Sequence, residues 1–170
     1  MAVITETILE NVLEKMDIQD EAALEEMVQT YSSKQPFVMM YLMEFNEEME
    51  SDVAKDDLVY LLLVVLECFY SIQNIALISA EAIMAEEENQ MTALTEIDKI
   101  TDEDARNNAA MAMLASEEVL FQFVGETLND SEEEDESDFN EEDAGAIFGA
   151  IKMVVDLFKS QLGNGGLKAV

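Results

Sequence analysis

The sequence predicts an all-α domain, six or seven helices packed around a buried central helix at about residues 56–74. Three observations carry that expectation. Breakers are scarce: one proline, Pro36, and six glycines, four of them after position 145. Strong helix formers (Ala, Leu, Met and Glu) recur throughout the chain. Apolar residues return at intervals of three and four in one segment after another, the period of a helix with one buried face. At 170 residues a single domain, 1–170, is the default. A chain of this size buries roughly 70% of its unfolded surface, and an apolar content of 49% supplies the core.

The first helix spans Ile4 to Met16. Ile4, Ile8, Val12 and Met16 share one face, with Glu6, Glu10 and Glu14 outside. Asp17 to Asp20 breaks the pattern and offers a cap for a second helix, Glu21 to Ser32, whose apolar face carries Leu24, Met27, Val28 and Tyr31. Pro36 fits the first turn of a third helix, where its missing N–H costs nothing. Phe37 to Met43 is apolar on all sides, and Glu44 to Glu50 continues it with a polar face. Met39, Met40, Met43 and Met49 cluster there, and core filling is the expected role of such residues.

The fourth helix begins near Asp56 and Asp57, whose charges suit an N-terminal dipole, and runs through Leu58 to Tyr70 almost without a polar side chain. Ser79 caps a fifth helix, Ala80 to about Ile97, with a stripe of Ile83, Met84, Met91, Leu94 and Ile97. Thr101 to Asp104 reads as a capping box for a sixth helix reaching about Leu128. Its core face is Met113, Leu114, Leu120, Phe121, Val124 and Leu128, with Glu117 the exception. A last helix follows Asn140, with Asp143 three residues on and a stripe of Ile147, Ile151, Val154, Val155, Phe158 and Leu162. Lys152, Asp156 and Lys159 lie opposite at pairing distance along that helix. Gly163 to Gly166 ends it, and residues 163–170 are expected to fray.

Charge bounds the function. Thirty-nine acidic residues face eight basic ones, a formal net charge of −31 with no histidine. A small domain stays soluble with a net charge of about 2–8, and a larger excess destabilises the compact state by self-repulsion. The sign disfavours direct binding of nucleic acid, whose phosphates need Lys and Arg, and of anionic membrane surfaces. It favours basic partners. Without histidine, Ser-His-Asp and Cys-His catalysis and the usual zinc sites are excluded. The same lack excludes a di-iron bundle, which needs Glu-x-x-His. The lone Cys68 lies in an apolar run and reads as an inert buried thiol. The residues from Met1 to Glu14 lack a basic segment followed by an apolar one, so a cytoplasmic location is expected. The longest apolar run, Leu58 to Leu66, is nine residues, against about 20 for a membrane span.

Three constellations remain as site candidates. The acidic tract from Asp130 to Asp143 holds ten carboxylates in fourteen residues and reads as a low-complexity connector. Its Asp130, Glu132, Glu133, Glu134, Asp135, Glu136, Asp138, Glu141 and Glu142 form the candidate surface for a basic partner. Asp130, Glu132, Glu134, Asp138 and Glu141 also fall at calcium-loop spacing, but Asp135 stands where such a loop needs glycine. Glu67 interrupts the central helix near Tyr60, Ser71 and Asn74, either as a satisfied carboxylate or as one lining a pocket. Finally, Glu44, Glu47, Glu48 and Glu67 form an alternative catalytic set for a magnesium-dependent hydrolase. All-helical nucleotide pyrophosphohydrolases hold magnesium through Glu-x-x-Glu on one helix and Glu-x-x-Asp on the next. Glu44-Phe-Asn-Glu47 supplies the first half and the second half is missing. Beside that hydrolase stands a structural helical protein whose charge serves solubility only, and the balance favours a third reading, a non-enzymatic interaction protein without a cofactor. It would bind a basic protein by charge complementarity, as a nucleic-acid mimic or an immunity-type inhibitor does.

Overall fold

A computed structural model describes residues 2–133 and 138–165, the side chains of 163–165 excepted. Among these residues the chain is all-helical. The elements are α1 (Glu6–Asp17), α2 (Glu21–Lys34), α3 (Pro36–Glu47), α4 (Asp52–Ile72), α5 (Ala80–Asp98), α6 (Glu103–Leu114), a 3₁₀ turn (Ala115–Glu117), α7 (Glu118–Glu132) and α8 (Glu141–Gly165).

The central helix is α4. Ten of its side chains are buried, from Ala54 to Phe69. It lies against α1, α7 and α8 and also touches α2 and α3. A fully buried Leu contributes about 1.5–3 kcal/mol, so the run Leu61 to Leu66, buried without interruption, is the densest source of stability in the molecule. The helix starts four residues earlier than Asp56: the Ser51 hydroxyl accepts from the Ala54 N–H at 3.1 Å and so caps it. Asp56 and Asp57 belong to its second turn. Its end falls at Ile72, two residues short of the expected 74.

Caps fix most other boundaries. Thr5, not Ile4, starts α1, accepting from Ile8 N–H at 3.2 Å. Ile4 precedes that cap and is buried, as is Leu9, which places both at the positions of a hydrophobic staple. Asp20 and Ser79 cap α2 and α5. Pro36 occupies the first turn of α3. At α6 the capping side chain is Asp102, one residue beyond Thr101. Asn140 and Asp143 exchange reciprocal bonds at the start of α8, of 2.9 and 3.3 Å.

One expected helix divides. The sixth is interrupted at Ala115–Glu117, where Glu117 leaves helical backbone values (φ −141°, ψ 62°) and turns its side chain inward. Glu117 therefore faces the core, contrary to the expected pattern. The stripe expected on α5 is also corrected: only Ile83 is buried there, while Met84, Met91 and Leu94 are exposed. No residue of α6 is buried. Of the clustered methionines, Met39 of α3 and Met49 just after it fill the core, and Met40 faces solvent. Helix α8 continues to Gly165, past the position where the tail was expected to begin. The rest of that expected tail, 166–170, lies outside the described residues. No helix among the described residues is long and apolar enough to cross a membrane.

Candidate functional site

Four of the eight cations are held in ion pairs among the described residues: Lys15–Glu67, Lys99–Glu96, Lys152–Asp156 and Lys159–Glu117. Their placement separates carboxylates that build the fold from carboxylates that are left to solvent.

Glu67 belongs to the first group. Its side chain is 15% exposed and takes Lys15 Nζ at 2.5 Å on one oxygen. The other oxygen accepts from the Tyr31 hydroxyl at 2.7 Å. Burial, then the bond to Glu67, raises the Tyr31 phenol above its ordinary range and keeps it a donor. Lys34 lies over the Tyr70 ring at 4.8 Å and the Tyr31 ring at 5.7 Å. These groups wall a polar cleft of about 610 Å³ between α1, α2 and α4. Gln35 braces it from behind: its amide nitrogen donates to the Tyr70 hydroxyl and the Ala76 carbonyl, and its oxygen accepts from Ile78 N–H, each at 3.0 Å. The carboxylate of the cleft is thus already engaged by Lys15 and Tyr31.

Glu117 is the second structural carboxylate and the one that sequence reasoning placed on the wrong face. It is fully buried. Its two oxygens accept from Val3 N–H at 2.8 Å and Ile4 N–H at 3.0 Å, tying the N-terminal segment to the turn before α7. Lys159 of α8 neutralises it at 3.0 Å and donates to the Ser116 carbonyl at 2.5 Å. Lys159 is therefore used across the bundle rather than along its own helix. Lys152 and Asp156 do pair along α8, at 2.5 Å.

The second group gathers in a groove of about 540 Å³ where the start of α8 meets the junction of α3 and α4. Glu48 and Glu50 line one side, and Asp138, Glu142 and Asp143 the other. Phe45, Met49 and Ala146 supply apolar lining. None of the five carboxylates is in an ion pair among the described residues. The N-cap residues of α4 and α8, Ser51 and Asn140, both line this groove, so two helix N-termini meet there. Their partial positive charge lets the fold carry so many anions in one place.

The predicted site residues sort accordingly. Asp138 and Glu142 of the acidic tract reach the groove, joined by Glu48 from the alternative catalytic set. Asp130 and Glu132 lie in the last turns of α7, Glu133 follows it, and Glu141 opens α8, all exposed. A calcium loop starting at Asp130 would need non-helical chain where α7 is still intact. Glu134, Asp135 and Glu136 lie outside the described residues. The tract is pinned by Ser131 and Phe139, both buried. Glu44, Glu47 and Glu48 are exposed, and Glu67 is engaged with Lys15 and Tyr31 in a different cleft. Among the described residues no group of three carboxylate or thiol side chains converges to hold a metal ion.

The chain matches no family model, no curated protein and no solved structure.

Cys68 is buried, and desolvation followed by the nearby charges of Glu67 and Glu117 pushes its thiol up to about 12. It is no nucleophile at neutral pH.

Proposed function

We propose that this protein is a non-enzymatic, cytoplasmic interaction protein that captures a basic protein segment by charge complementarity. The observation that carries this reading is the groove at the start of α8, where five carboxylates without ion-pair partners among the described residues surround a partly apolar lining. A Lys- or Arg-rich segment entering it exchanges mutual repulsion for attraction, and the formal charge of −31 steers it there from a distance. Four further described carboxylates of the tract, Asp130, Glu132, Glu133 and Glu141, extend the negative field along the exposed ends of α7 and α8. Association is then fast and falls steeply with salt. A partner that also binds nucleic acid would be blocked competitively, since the same cations serve both ligands.

The test compares two triple variants of equal charge. One is Glu48→Gln with Asp138→Asn and Glu142→Gln. The other is Glu21→Gln with Glu25→Gln and Glu26→Gln on the exposed side of α2. Partners are captured from lysate near physiological salt, about 0.15 M, and the dominant basic partner is then titrated as a purified protein over a salt series. The groove variant is expected to lose about tenfold or more in affinity, the α2 variant far less. Equal losses would reduce the interaction to net charge. Binding indifferent to salt would overturn the reading.

A further inference from the structure

A second groove carries the opposite lining. It lies where the end of α6, α7 and α8 meet, with a volume of about 600 Å³. Its floor is Leu114, Phe121 and Phe148, the two phenylalanine rings 5.9 Å apart. Met111 stands at its wall and is 66% exposed. Along one edge run Glu118, Gln122 and Glu126, spaced four residues apart on α7. Neither glutamate is in an ion pair among the described residues.

Gly125 opens onto this space. It lies inside α7, where glycine weakens a helix. Its backbone is not in the left-handed region. A Cβ built on it would meet only Phe148 Cε2, at 4.0 Å. Neither conformation nor close packing requires glycine there, and a small residue at this position, Gly or Ala, leaves the groove open, whereas a large side chain would fill it.

We propose that this groove docks an amphipathic, basic helix from a partner protein, its apolar stripe on the Phe121–Phe148 floor and its Lys or Arg residues along the Glu118–Glu126 edge. The charge selects the occupant. A second copy of this chain would bring another −31, and an anionic lipid or fatty acid would meet the same repulsion. The spacing selects the shape. Glu118 and Glu126 are eight residues apart on one helix, about 12 Å, which a second helix alongside matches with cations at i and i+8. An exposed Met at the wall adapts to varied apolar side chains. The inference rests on the reading of this protein as an acceptor of basic partners and adds a second site with a stated shape.

The probes are two synthetic peptides of about five helical turns and identical composition. In one, Leu forms a single stripe flanked by Lys; in the other the order is scrambled, leaving charge without a stripe. Affinity is read by fluorescence anisotropy and peptide helicity by circular dichroism. The striped peptide is expected to bind about tenfold tighter and to become helical. Gly125→Leu, which fills the floor, is expected to abolish that advantage and leave the scrambled peptide unaffected. Gly125→Ala, which leaves the groove open, serves as the control. Paired Glu118→Gln and Glu126→Gln substitutions are expected to flatten the salt dependence of the striped peptide. Equal binding of both peptides, lost in the Glu48/Asp138/Glu142 variant and indifferent to Gly125→Leu, would overturn this inference and leave the acidic-groove reading standing. Binding of neither peptide would overturn both. Uptake of a neutral apolar dye, blocked by Gly125→Leu, with no preference for the striped peptide would make the groove a small-molecule site and likewise overturn the helix.

Discussion

Glu117 and Glu142 carry the same charge in opposite surroundings. Glu117 is buried in the turn before α7, with two backbone N–H donors and Lys159 on its oxygens. Glu142 is exposed at the start of α8 among four other groove carboxylates, none paired with a cation among the described residues. In a chain with eight cations for 39 anions, the placement of the cations divides the acidic residues by role. Those that hold a lysine from another helix, Glu67 and Glu117, fasten one element to another. Those grouped in the acidic groove make no such bridge among the described residues.

The sharpest way to break this division is to remove carboxylates from each side. Glu117→Ala leaves Lys159 without its partner and the Val3 and Ile4 N–H groups without acceptors. Breaking one half of a buried pair costs about 3–5 kcal/mol, and denaturant unfolding is expected to show a loss of that order. The groove triple variant, measured alongside, is expected to stay within about 0.5 kcal/mol per site and to gain at low salt as repulsion falls. If the groove variant lost as much as Glu117→Ala, its carboxylates would be structural and the division would fail.

The same contrast governs what the sequence revealed. Helices with a continuous apolar face were legible because periodicity reports burial directly: the stripes of α1, α4 and α8 hold, as do the Ser79 and Asn140 caps. The early start of α4 was hidden by Asp56 and Asp57, which resemble a first turn although Ser51 already supplies the cap. Glu117 was misplaced because a charge within an apolar stripe reads as a gap in the core. Only the three-dimensional arrival of Val3, Ile4 and Lys159, 114, 113 and 42 positions away in sequence, satisfies it. The break at Ala115–Glu117 was silent for a related reason, since it contains neither glycine nor proline. The signal that could have found it is the charge itself, at the one position where the stripe fails. The acidic groove was half legible. Asp138 and Glu142 stood out in the tract, but their meeting with Glu48 and Glu50 depends on how α3, α4 and α8 pack.

Two glycines refine the comparison within the second groove and beside it. Gly125 and Gly149 both sit in helix interiors, where replacement by Ala gains about 0.5–1 kcal/mol if the site has room. A Cβ at Gly125 meets nothing nearer than 4.0 Å, whereas one at Gly149 comes within 3.4 Å of Gln90 Nε2. That nitrogen donates to the Gly149 carbonyl at 2.9 Å and joins α5 to α8. Thermal unfolding is expected to show the full gain for Gly125→Ala and a smaller gain, or none, for Gly149→Ala. Equal gains would mean that Gln90 yields freely and that Gly149 has no packing role. A loss at Gly125 would show that its space is not open.

Glu86 stands between the two kinds of carboxylate and gives the smallest effect. It is half-buried on α5. Desolvation, then the charge of Asp156, raises its pKa above the usual 4.5, while Asn89 and Lys152 pull the other way. A carboxyl whose folded value is raised favours the folded state when protonated. That contribution is complete below its unfolded value and is lost as pH climbs through the folded one. At neutral pH the ionised Glu86 therefore opposes folding. Glu86→Gln is expected to be slightly more stable than the parent at pH 7, and the difference is expected to close as pH falls below the ordinary glutamate range. Comparing the two proteins at each pH removes the titration of the other carboxylates, which they share. If Glu86→Gln is instead less stable at pH 7, Lys152 holds Glu86 as firmly as Lys159 holds Glu117, and Glu86 belongs with the carboxylates that fasten the bundle.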